Sequence, residues 1–552
     1  MKYGKWLMIM IFTVAADATA CVKVSSLFSS DMVLQQNSII DLFGEADTGE
    51  RINIVLSWSD SQRVVIAGKT GYWETKIRTP SAGGPHTISF FANDTVILDN
   101  ILTGEVWFAS GQSNMEMALG DIPGSLEENE ETFSGEVRFF NVPIQTSEVK
   151  QTYPPPGGRW KVCSPETSAE MSAIAFYFAR RLHADLKVPV GIIIAAWGGT
   201  PAESWMAEDV LKSDSLFKPV YARWAKWRSS LSDDSTLYLT AMRKRESDSI
   251  SGIKSPVPEI PQSIYMMRRL HRQPSVLYNG MVNPFLRITI KGVIWYQGTS
   301  NKEWHTEYEH LFMTLITSWR KAWKSDYLPF YYVQIAPFDY QVPEQAEGIR
   351  EGQRRAMRLP GTGMVVTMDT GDSTNIHPAD KKTPGERLAR WALANTYGQY
   401  GLAFSGPLLK EYVTEKNTVR LSFLHSSGGL ASSDGMPLRN FYLEDISGRF
   451  FPAEVCIDGE TLLLSSPFVT HPVSVRYAGG NVYNVNFINK DSLPASPFRT
   501  HIDDTICTPR YFDASGGDDR NDGLSPLTAW RNIDTINTLK WSAGAEILLK
   551  CN

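Results

Sequence analysis

Residues 105–115 have the sequence EVWFASGQSNM, an apolar run that passes through Gly111 into a serine-containing turn. The run at 105–109 predicts a buried strand, and the turn after it predicts the start of a helix. In a parallel α/β sheet, such turns lie at the carboxyl ends of the strands, where these folds build their sites. The turn predicts that Ser113 is exposed as a nucleophile, and a serine that only caps the helix is the alternative.

The residues around this stretch continue the alternation of strands and helices. Further strands are predicted at residues 190–196, 291–296, 330–335 and 363–368. Apolar residues recur every four positions from Ile174 to Leu186, which predicts a helix with one buried face. Continuous apolar strands between helices indicate a parallel sheet covered on both faces, which we place at residues 104–400. The polar, proline-containing residues 229–273 interrupt it, and we interpret them as a surface insertion near the site.

Short apolar runs separated by turn residues lie on both sides of this region. Residues 22–103 and residues 401–502 have this texture, which predicts β-sandwich-type modules before and after the α/β layer. The final residues, 509–552, contain the turn-rich sequence DASGGDD, a helical pattern through Ile533 and Ile536, and a last short strand. They resemble the incomplete opening of a right-handed parallel β-helix, and a loosely docked extension is the alternative.

The N-terminal residues 1–20 have the pattern of a secretory signal peptide. Lys2 and Lys5 precede an apolar run over residues 6–16, and the small residues Ala-Thr-Ala at 18–20 offer a cleavage site before Cys21. The apolar run is too short for a membrane span, which needs about 20 apolar residues. We therefore expect an exported protein with no membrane span. It is either periplasmic or extracellular, or it is a lipoprotein anchored to a membrane through a lipid-modified Cys21.

Composition and charge limit the classes of function. At roughly 150 residues per domain, a chain of this length suggests three or four domains. The chain has 42% hydrophobic and 21% charged residues, which is typical of globular proteins and excludes a disordered or collagen-like chain. A net charge of −6 disfavours a nucleic-acid partner. Five cysteines without a C-x-x-C pair indicate neither a disulfide framework nor a cysteine zinc site.

Three further loops that follow predicted strands carry candidate functional groups. In WGGT, residues 197–200, the paired glycines either let a backbone N–H approach a ligand or only form a tight turn. In WYQGTSN, either Gln297 or Asn301 supplies an amide donor, or the loop only turns the chain. In NIHP, His377 is placed to be the base for Ser113, because its loop belongs to the same edge of the sheet.

Taken together and in this order, the four motifs resemble those of the sialate O-acetylesterase-like branch of the SGNH hydrolases. The supporting phrases are DMVLQQ at residues 31–36, GEVW at 104–107, LYNGM at 277–281 and LPASPFRT at 493–500. The resemblance covers roughly residues 22–502. It implies a flavodoxin-like three-layer catalytic domain with attached β modules. It also implies an esterase that removes acetyl groups from sugar hydroxyls, in sialic acids or in plant or microbial polysaccharides.

With this resemblance, the candidate residues acquire roles in acyl transfer. Ser113 attacks the acetyl carbonyl, and His377 takes up and returns the proton. The N–H groups of Ser113 and Gly199 and the side-chain amide of Gln297 form the predicted oxyanion hole. The predicted enzyme is a carboxylic ester hydrolase, similar to sialate O-acetylesterases and acetylxylan esterases, with no cofactor and no metal. Its predicted partner is an O-acetylated sugar or polysaccharide.

The acid of the triad departs from the family pattern. Members usually carry an acidic residue two positions before the histidine, where this chain has Asn375, and many carry a glutamate after Gln-Gly, where it has Thr299. We therefore predict that Asp372 orients His377, and a Ser–His dyad held by a backbone carbonyl is the alternative. The same departure motivates a second hypothesis, a non-catalytic or weakly active carbohydrate-binding relative. A serine hydrolase for lipids or thioesters is the third.

Overall fold

The computed structural model of this chain describes residues 22–128, 134–426, 428–481, 484–500, 510–520, 529–534 and 547–550. The predicted signal peptide and the predicted lipid site Cys21 lie outside the described residues, as does Ile536 of the predicted C-terminal helix. Of the helices in the described ranges, none is long and apolar enough to cross a membrane.

The N-terminal module is built from eight strands that form two facing layers. The strands are β1 Lys23–Val24, β2 Val33–Gln35, β3 Ile39–Glu45, β4 Arg51–Leu56, β5 Ser59–Ile66, β6 Tyr72–Arg78, β7 Gly83–Phe91 and β8 Thr95–Gly111. One layer has the order β1-β3-β6, and β4 pairs with β5 and β7 in the other. Alternate residues of β4 are buried, so one face of each strand supplies the core between the layers. This is the predicted β-sandwich texture.

Strand β8 joins this module to the rest of the chain. Its residues 95–103 pair with β7, whereas residues 105–111 pair with two strands of the central sheet. Every residue from Ile101 to the end of β8 is buried, since the strand runs into the middle of that sheet. The predicted domain boundary after residue 103 thus falls inside one continuous strand.

The central sheet confirms the predicted α/β layer. Its further strands are β9 Val137–Asn141, β10 Trp160–Val162, β11 Val190–Ala196, β12 Gly292–Tyr296, β13 Phe330–Val333 and β14 Thr362–Val365. The order is β10-β9-β11-β8-β12-β13-β14, and all neighbours are parallel except β10 and β9. All seven residues of β11 are buried, as expected for a strand covered on both faces.

Helices cover both faces of this sheet. The α-helices are α1 Ser113–Glu116, α2 Ser125–Glu128, α3 Ala173–Leu186, α4 Glu208–Ser213, α5 Lys218–Ile250, α6 Gln262–Met267, α7 His305–Ala322, α8 Pro343–Ala356 and α9 Lys382–Asn395. Shorter helical turns are Leu119–Asp121, Ser168–Glu170, Ala202–Trp205, Ser215–Phe217, Leu270–Arg272, Tyr278–Val282, Asn283–Phe285 and Thr299–Trp304. Trp107 of β8 packs in the core with α3 and α9, and its neighbour Phe108 packs with α7. Successive side chains of one strand therefore enter opposite layers, which is the predicted three-layer arrangement.

The predicted insertion at residues 229–273 contains most of the long helix α5, which the sequence did not predict. Only Val220 and Trp224 of this helix are buried, so its remaining surface is polar or partly exposed. A helix without an apolar stripe lacks the periodicity by which a helix is predicted. Helix α5 packs instead on the short helix α6, which follows it.

The second β module follows α9. Its strands are β15 Leu408–Glu415, β16 Thr418–Leu424, β17 Leu430–Ser432, β18 Phe441–Glu444, β19 Phe450–Pro452, β20 Glu454–Asp458, β21 Thr461–Ser465, β22 Ser474–Tyr477, β23 Phe487–Asn489 and β24 Phe498–Arg499. They form two four-stranded sheets and one two-stranded sheet. The core between them is aromatic, with Phe441 and Tyr477 stacked at 4.4 Å between ring centroids.

The described part of the tail contains two strands, β25 Arg510–Phe512 and β26 Ile547–Leu549, which pair in parallel. Phe512 also forms a parallel bridge with Trp530. The resemblance of this tail to a β-helix stays a prediction, as do the predicted domain boundaries.

Candidate active site

Three strands of the central sheet end at one level, and this brings three of the sequence motifs together. Gly111 at the end of β8 pairs with Ala196 at the end of β11 on one side and with Tyr296 at the end of β12 on the other. The serine turn, the paired glycines and the Gln297 loop begin directly after these residues. The motifs are therefore adjacent at the carboxyl edge of a parallel sheet.

The turn that carries Ser113 depends on the glycine before it. Gly111 has a φ of +141°, and a Cβ at this position would lie 2.2 Å from the carbonyl oxygen of Tyr296. A larger residue would thus push β8 away from β12. Gln112 accepts hydrogen bonds from the N–H groups of Gly298 and Ser300 at 3.3 Å. These contacts fix the first and third motifs to each other, with Ser113 at the start of α1.

His377 meets Ser113 as the sequence predicted, across 264 positions of the chain. Its Nε2 lies 2.8 Å from the hydroxyl oxygen Oγ of Ser113. Partial burial and the positive charge of Lys381 lower the pKa of His377. The imidazole is therefore favoured in its neutral form near neutral pH, which is the form that can accept the serine proton.

The predicted pairing of Asp372 with His377 is not formed, and this corrects the assignment of the acid. Asp372 Oδ1 accepts the N–H and the hydroxyl of Thr374 at 2.8 Å each, and the N–H of Asn375 at 3.2 Å. These bonds lower the pKa of Asp372 and make it the cap of an exposed turn. Asn375 Oδ1 in turn accepts the backbone N–H of His377 at 2.9 Å. Among the described residues, none is hydrogen-bonded to Nδ1 of His377.

Two of the three predicted oxyanion donors remain available beside Ser113. In the described chain, the N–H groups of Ser113 and Gly199 donate to no acceptor. Gly199 has a φ of +70°, which turns the chain sharply after β11. The N–H of Gly198 is not available, because it donates to Glu116 Oε2 at 2.7 Å. Burial raises the pKa of Glu116, and the bond from Gly198 opposes that shift.

Gln297, the third predicted donor, is committed to a buried network, and its predicted role is corrected. Its Nε2 donates to the carbonyl of Thr200 at 3.2 Å and to Asn301 Oδ1 at 2.7 Å. Tyr308 donates its hydroxyl to Gln297 Oε1 at 3.1 Å. Asn301 Nδ2 donates to Glu203 Oε2 at 2.8 Å, and burial raises the pKa of Glu203. These buried hydrogen bonds hold the Gln297 loop against the glycine turn and the residues that follow it.

Two residues that the sequence reasoning missed hold the His377 loop. Lys381 is only 2% exposed, and its Nζ donates to Asn114 Oδ1 at 2.8 Å and to the carbonyl of Pro378. Asn114 Nδ2 donates to the carbonyl of Ile376 at 3.1 Å. Lysine is rarely buried, so its type alone gave no signal. The sequence carried no further signal, because the contact of Lys381 with Asn114 joins two distant segments of the chain.

An aromatic pair borders the glycine turn. Trp197 stacks on His271, which lies within the predicted insertion, with 4.7 Å between ring centroids and 13° between planes. Burial and the charges of Arg272 and Arg269 lower the pKa of His271. The stacked pair joins the glycine turn to the predicted insertion.

Two other histidines, His305 and His310, lie five positions apart on one helix. His305 and His310 are on α7, and His310 Nε2 lies 2.6 Å from Asp214 Oδ2. Within the described ranges, no group of three or more His, Cys, Asp or Glu residues is placed to hold a metal ion.

Comparison with known proteins finds similarity to carbohydrate esterases. The family described as carbohydrate esterase, sialic acid-specific acetylesterase, matches residues 265–394. Sialate O-acetylesterase of Rattus norvegicus is 27% identical over an alignment of 553 positions that covers 90% of this chain and 98% of the relative. The Homo sapiens enzyme is 27% identical over an alignment of 452 positions that covers 74% of this chain and 78% of that one.

A solved structure is similar over most of the chain. The crystal structure of a carbohydrate acetylesterase from Xanthomonas citri has a TM-score of 0.74 and 28% identity, and the match covers 87% of this chain and 100% of that one. The match therefore extends beyond the central sheet to the strand-rich sheets on either side of it.

Proposed function

Because this chain belongs to the sialate O-acetylesterase-like family and is a carboxylic ester hydrolase, we propose that it removes O-acetyl groups from sugars by a serine acyl-enzyme mechanism. The single observation that carries the proposal is the 2.8 Å contact between Ser113 Oγ and His377 Nε2. The contact lies at the carboxyl edge of the sheet, beside two unpaired N–H groups. A nucleophile, a base and oxyanion donors are the parts that acyl transfer requires.

The reaction follows from these positions. Ser113 Oγ attacks the acetyl carbon while Nε2 of His377 takes its proton, and the carbonyl oxygen becomes an oxyanion beside the N–H groups of Ser113 and Gly199. The bond to the sugar oxygen then breaks, and the imidazolium of His377 protonates that oxygen. Water attacks the acetyl-enzyme with His377 again as the base, which releases acetate and restores Ser113. Loss of one oxyanion donor typically lowers kcat by about 10²–10³.

The alternative function is that of a non-catalytic or weakly active carbohydrate-binding relative. It is favoured by the unpaired Nδ1 of His377 among the described residues and by the neutral Asn375 and Thr299 at the positions where relatives usually carry a carboxylate. Without a carboxylate, the imidazolium is less stabilised in the transition state. The two functions differ in one measurable property, the reactivity of Ser113.

The test compares acetate release from acetylated sialic acid, acetylated xylan and acetylated pectin, with 4-nitrophenyl acetate as a substrate that needs no sugar site. We expect Ser113→Ala and His377→Ala to lower kcat by about 10⁴ or more. The matched control is Ser300→Ala, which keeps the backbone N–H that donates to Gln112. A fluorophosphonate probe should label Ser113 in the intact enzyme. A folded wild-type protein that neither labels nor releases acetate would support the non-catalytic alternative.

We also propose that the protein is exported, supported by the signal-peptide pattern of residues 1–20. Expression in a bacterium followed by cell fractionation and mass measurement of the mature N-terminus tests this. Cleavage before Cys21 with a lipid mass on the cysteine indicates an anchored lipoprotein, and Cys21→Ala should then release the protein from the membrane fraction. A full-length product in the cytoplasm would contradict export.

A further inference from the structure

Lys381 is a buried amine beside the catalytic base, and the acyl-transfer steps do not use it. The side chain precedes α9, and 2% of the residue is exposed. Its Nζ donates to the carbonyl of Pro378 and, at 2.8 Å, to Asn114 Oδ1. A buried ammonium is costly unless it is hydrogen-bonded, so these two acceptors explain how the group can be buried.

Asn114 completes a closed set of contacts around His377. Its Oδ1 accepts from Lys381, and its Nδ2 donates to the carbonyl of Ile376 at 3.1 Å. Ile376 and Pro378 are the residues directly before and after His377, so the backbone is held on both sides of the base. Asn114 itself directly follows the nucleophile, Ser113. The same side chain therefore connects the two halves of the catalytic pair.

The ordinary means of orienting the base is missing from this site. Asp372 caps its own turn, and Asn375 accepts the backbone N–H of His377. In a serine triad, a carboxylate on Nδ1 both orients the imidazole and stabilises its protonated form. Here side chains fix the backbone around the ring instead: Asn375 accepts the N–H of His377, and Asn114 and Lys381 donate to the carbonyls on either side of it.

We infer that Lys381 and Asn114 act as a positioning clamp that orients His377 toward Ser113 in place of a triad carboxylate, an inference that rests on the proposed function. The clamp works through geometry, because a cation beside an imidazole disfavours the imidazolium. Lys381 therefore cannot replace the electrostatic role of an acid. Both clamp residues act through His377 and are positioning residues rather than catalytic ones.

The charges around the clamp set the sign of its effect on pH dependence. Burial lowers the pKa of Lys381 to about 8, and the charge of Asp380 opposes that shift. Burial lowers the pKa of His377 first, and the charge of Lys381 lowers it further. Glu116, on α1, is a further ionisable group near Ser113, and its carboxylate accepts the backbone N–H of Gly198 in the glycine turn. Removing the ammonium should therefore raise the pKa of His377.

The test combines kinetics with a measurement that does not depend on activity. We expect Lys381→Met to lower kcat by about 10- to 100-fold, since a displacement of about 1 Å in a catalytic group can cost 10²-fold. The acid limb of the kcat/KM profile should also move to higher pH. Lys381→Arg keeps the charge but not the shape, so kcat should fall while the limb stays. The exposed Lys410, on β15, provides the control variant Lys410→Met.

Two further results separate the clamp from a general loss of structure. Because Asn114 and Lys381 act as one unit, the double variant Asn114→Ala/Lys381→Met should lower kcat little more than either single change. Histidine NMR, with His377 assigned by His377→Gln, should show a higher pKa for His377 in folded Lys381→Met. A folded Lys381→Met with kcat within about twofold of wild type, or with the pKa of His377 unchanged, would overturn the clamp. If the wild-type protein is inactive, the proposed function fails. The NMR titration would still show whether Lys381 lies close enough to His377 to lower the pKa of its imidazole.

Discussion

Replacing Asn375 with aspartate should strengthen the base, and the structure allows the size of the effect to be worked out. Asn375 Oδ1 already accepts the N–H of His377 at 2.9 Å, and aspartate has the same shape, so this bond should persist. The new feature is a negative charge near the imidazole, whose pKa is at present lowered by burial and by Lys381. A nearby carboxylate favours the protonated ring, so the pKa of His377 should rise.

The magnitude depends on how well water screens the new charge. Two unit charges about 4 Å apart interact by about 1 kcal/mol in water and about 4 kcal/mol at an effective dielectric constant near 20. Position 375 is exposed, so the lower value applies. About 1 kcal/mol corresponds to roughly 0.7 pKa units and a roughly fivefold gain in kcat for a step that forms imidazolium. This is far below the roughly 10⁴-fold contribution of a buried triad carboxylate.

The assay is the pH dependence of 4-nitrophenyl acetate hydrolysis by wild type and by Asn375→Asp. We expect the acid limb of kcat/KM to move to higher pH and the plateau to rise. Asp372→Asn is the matched control, since it removes a carboxylate from the same loop and keeps the oxygen that caps the turn; kcat should change less than about twofold. If Asn375→Asp changed neither the limb nor the plateau while Asp372→Asn lowered kcat strongly, Asp372 would be the acid after all.

Two further predictions concern the loops around the catalytic pair. At Gly198, a Cβ would lie 2.9 Å from Glu116 Oε2 and 3.4 Å from Ser113 Cβ, so Gly198→Ala should lower kcat/KM by about 10-fold or more. At Gly199, a Cβ would have no atom within 4 Å, and the backbone N–H would remain. Gly199→Ala should therefore mainly lower stability, by about 1–2 kcal/mol, because the residue has a φ of +70°. Equal kcat/KM values in the Gly198 and Gly199 variants would contradict this reasoning. Asn301→Ala leaves the buried carboxylate of Glu203 without its amide donor, so it should lower the free energy of unfolding by about 2–4 kcal/mol. Thermal or urea melts measure this loss, and a melting temperature equal to that of wild type would refute the role of Asn301.

The fold could be predicted from the sequence wherever burial imposes a simple pattern. Strand β11 was predicted at its observed bounds because all seven of its residues are buried and apolar. Helix α3 was predicted because its buried residues recur at helical spacing. Helix α5 was not, since it buries only Val220 and Trp224 over 33 residues and so lacks an apolar stripe. Predictions based on hydrophobic periodicity therefore fail for a helix that buries few of its side chains.

The candidate site divides in a similar way. Ser113 and His377 could be predicted because each lies in a loop that follows a predicted strand of one parallel sheet. The role of Gln297 could not, because whether its amide faces the substrate or a buried partner depends on Asn301 and Tyr308 packing beneath it. A motif locates a loop at the sheet edge, but it does not decide which side chains of that loop turn inward.

The same limit explains why the clamp was invisible in the sequence. Ser113 follows β8 and His377 follows β14, and two other strands, β12 and β13, lie between these in the sheet. Sheet register alone therefore does not fix the distance between Oγ and Nε2. Asn114 and Lys381 are 267 positions apart and hold that distance through a direct contact. Asn114 and Lys381 are residue types that are usually solvated, so only the folded chain identifies them as a pair. Loss of their contact should disturb the Ser113–His377 distance more than any other feature of the site.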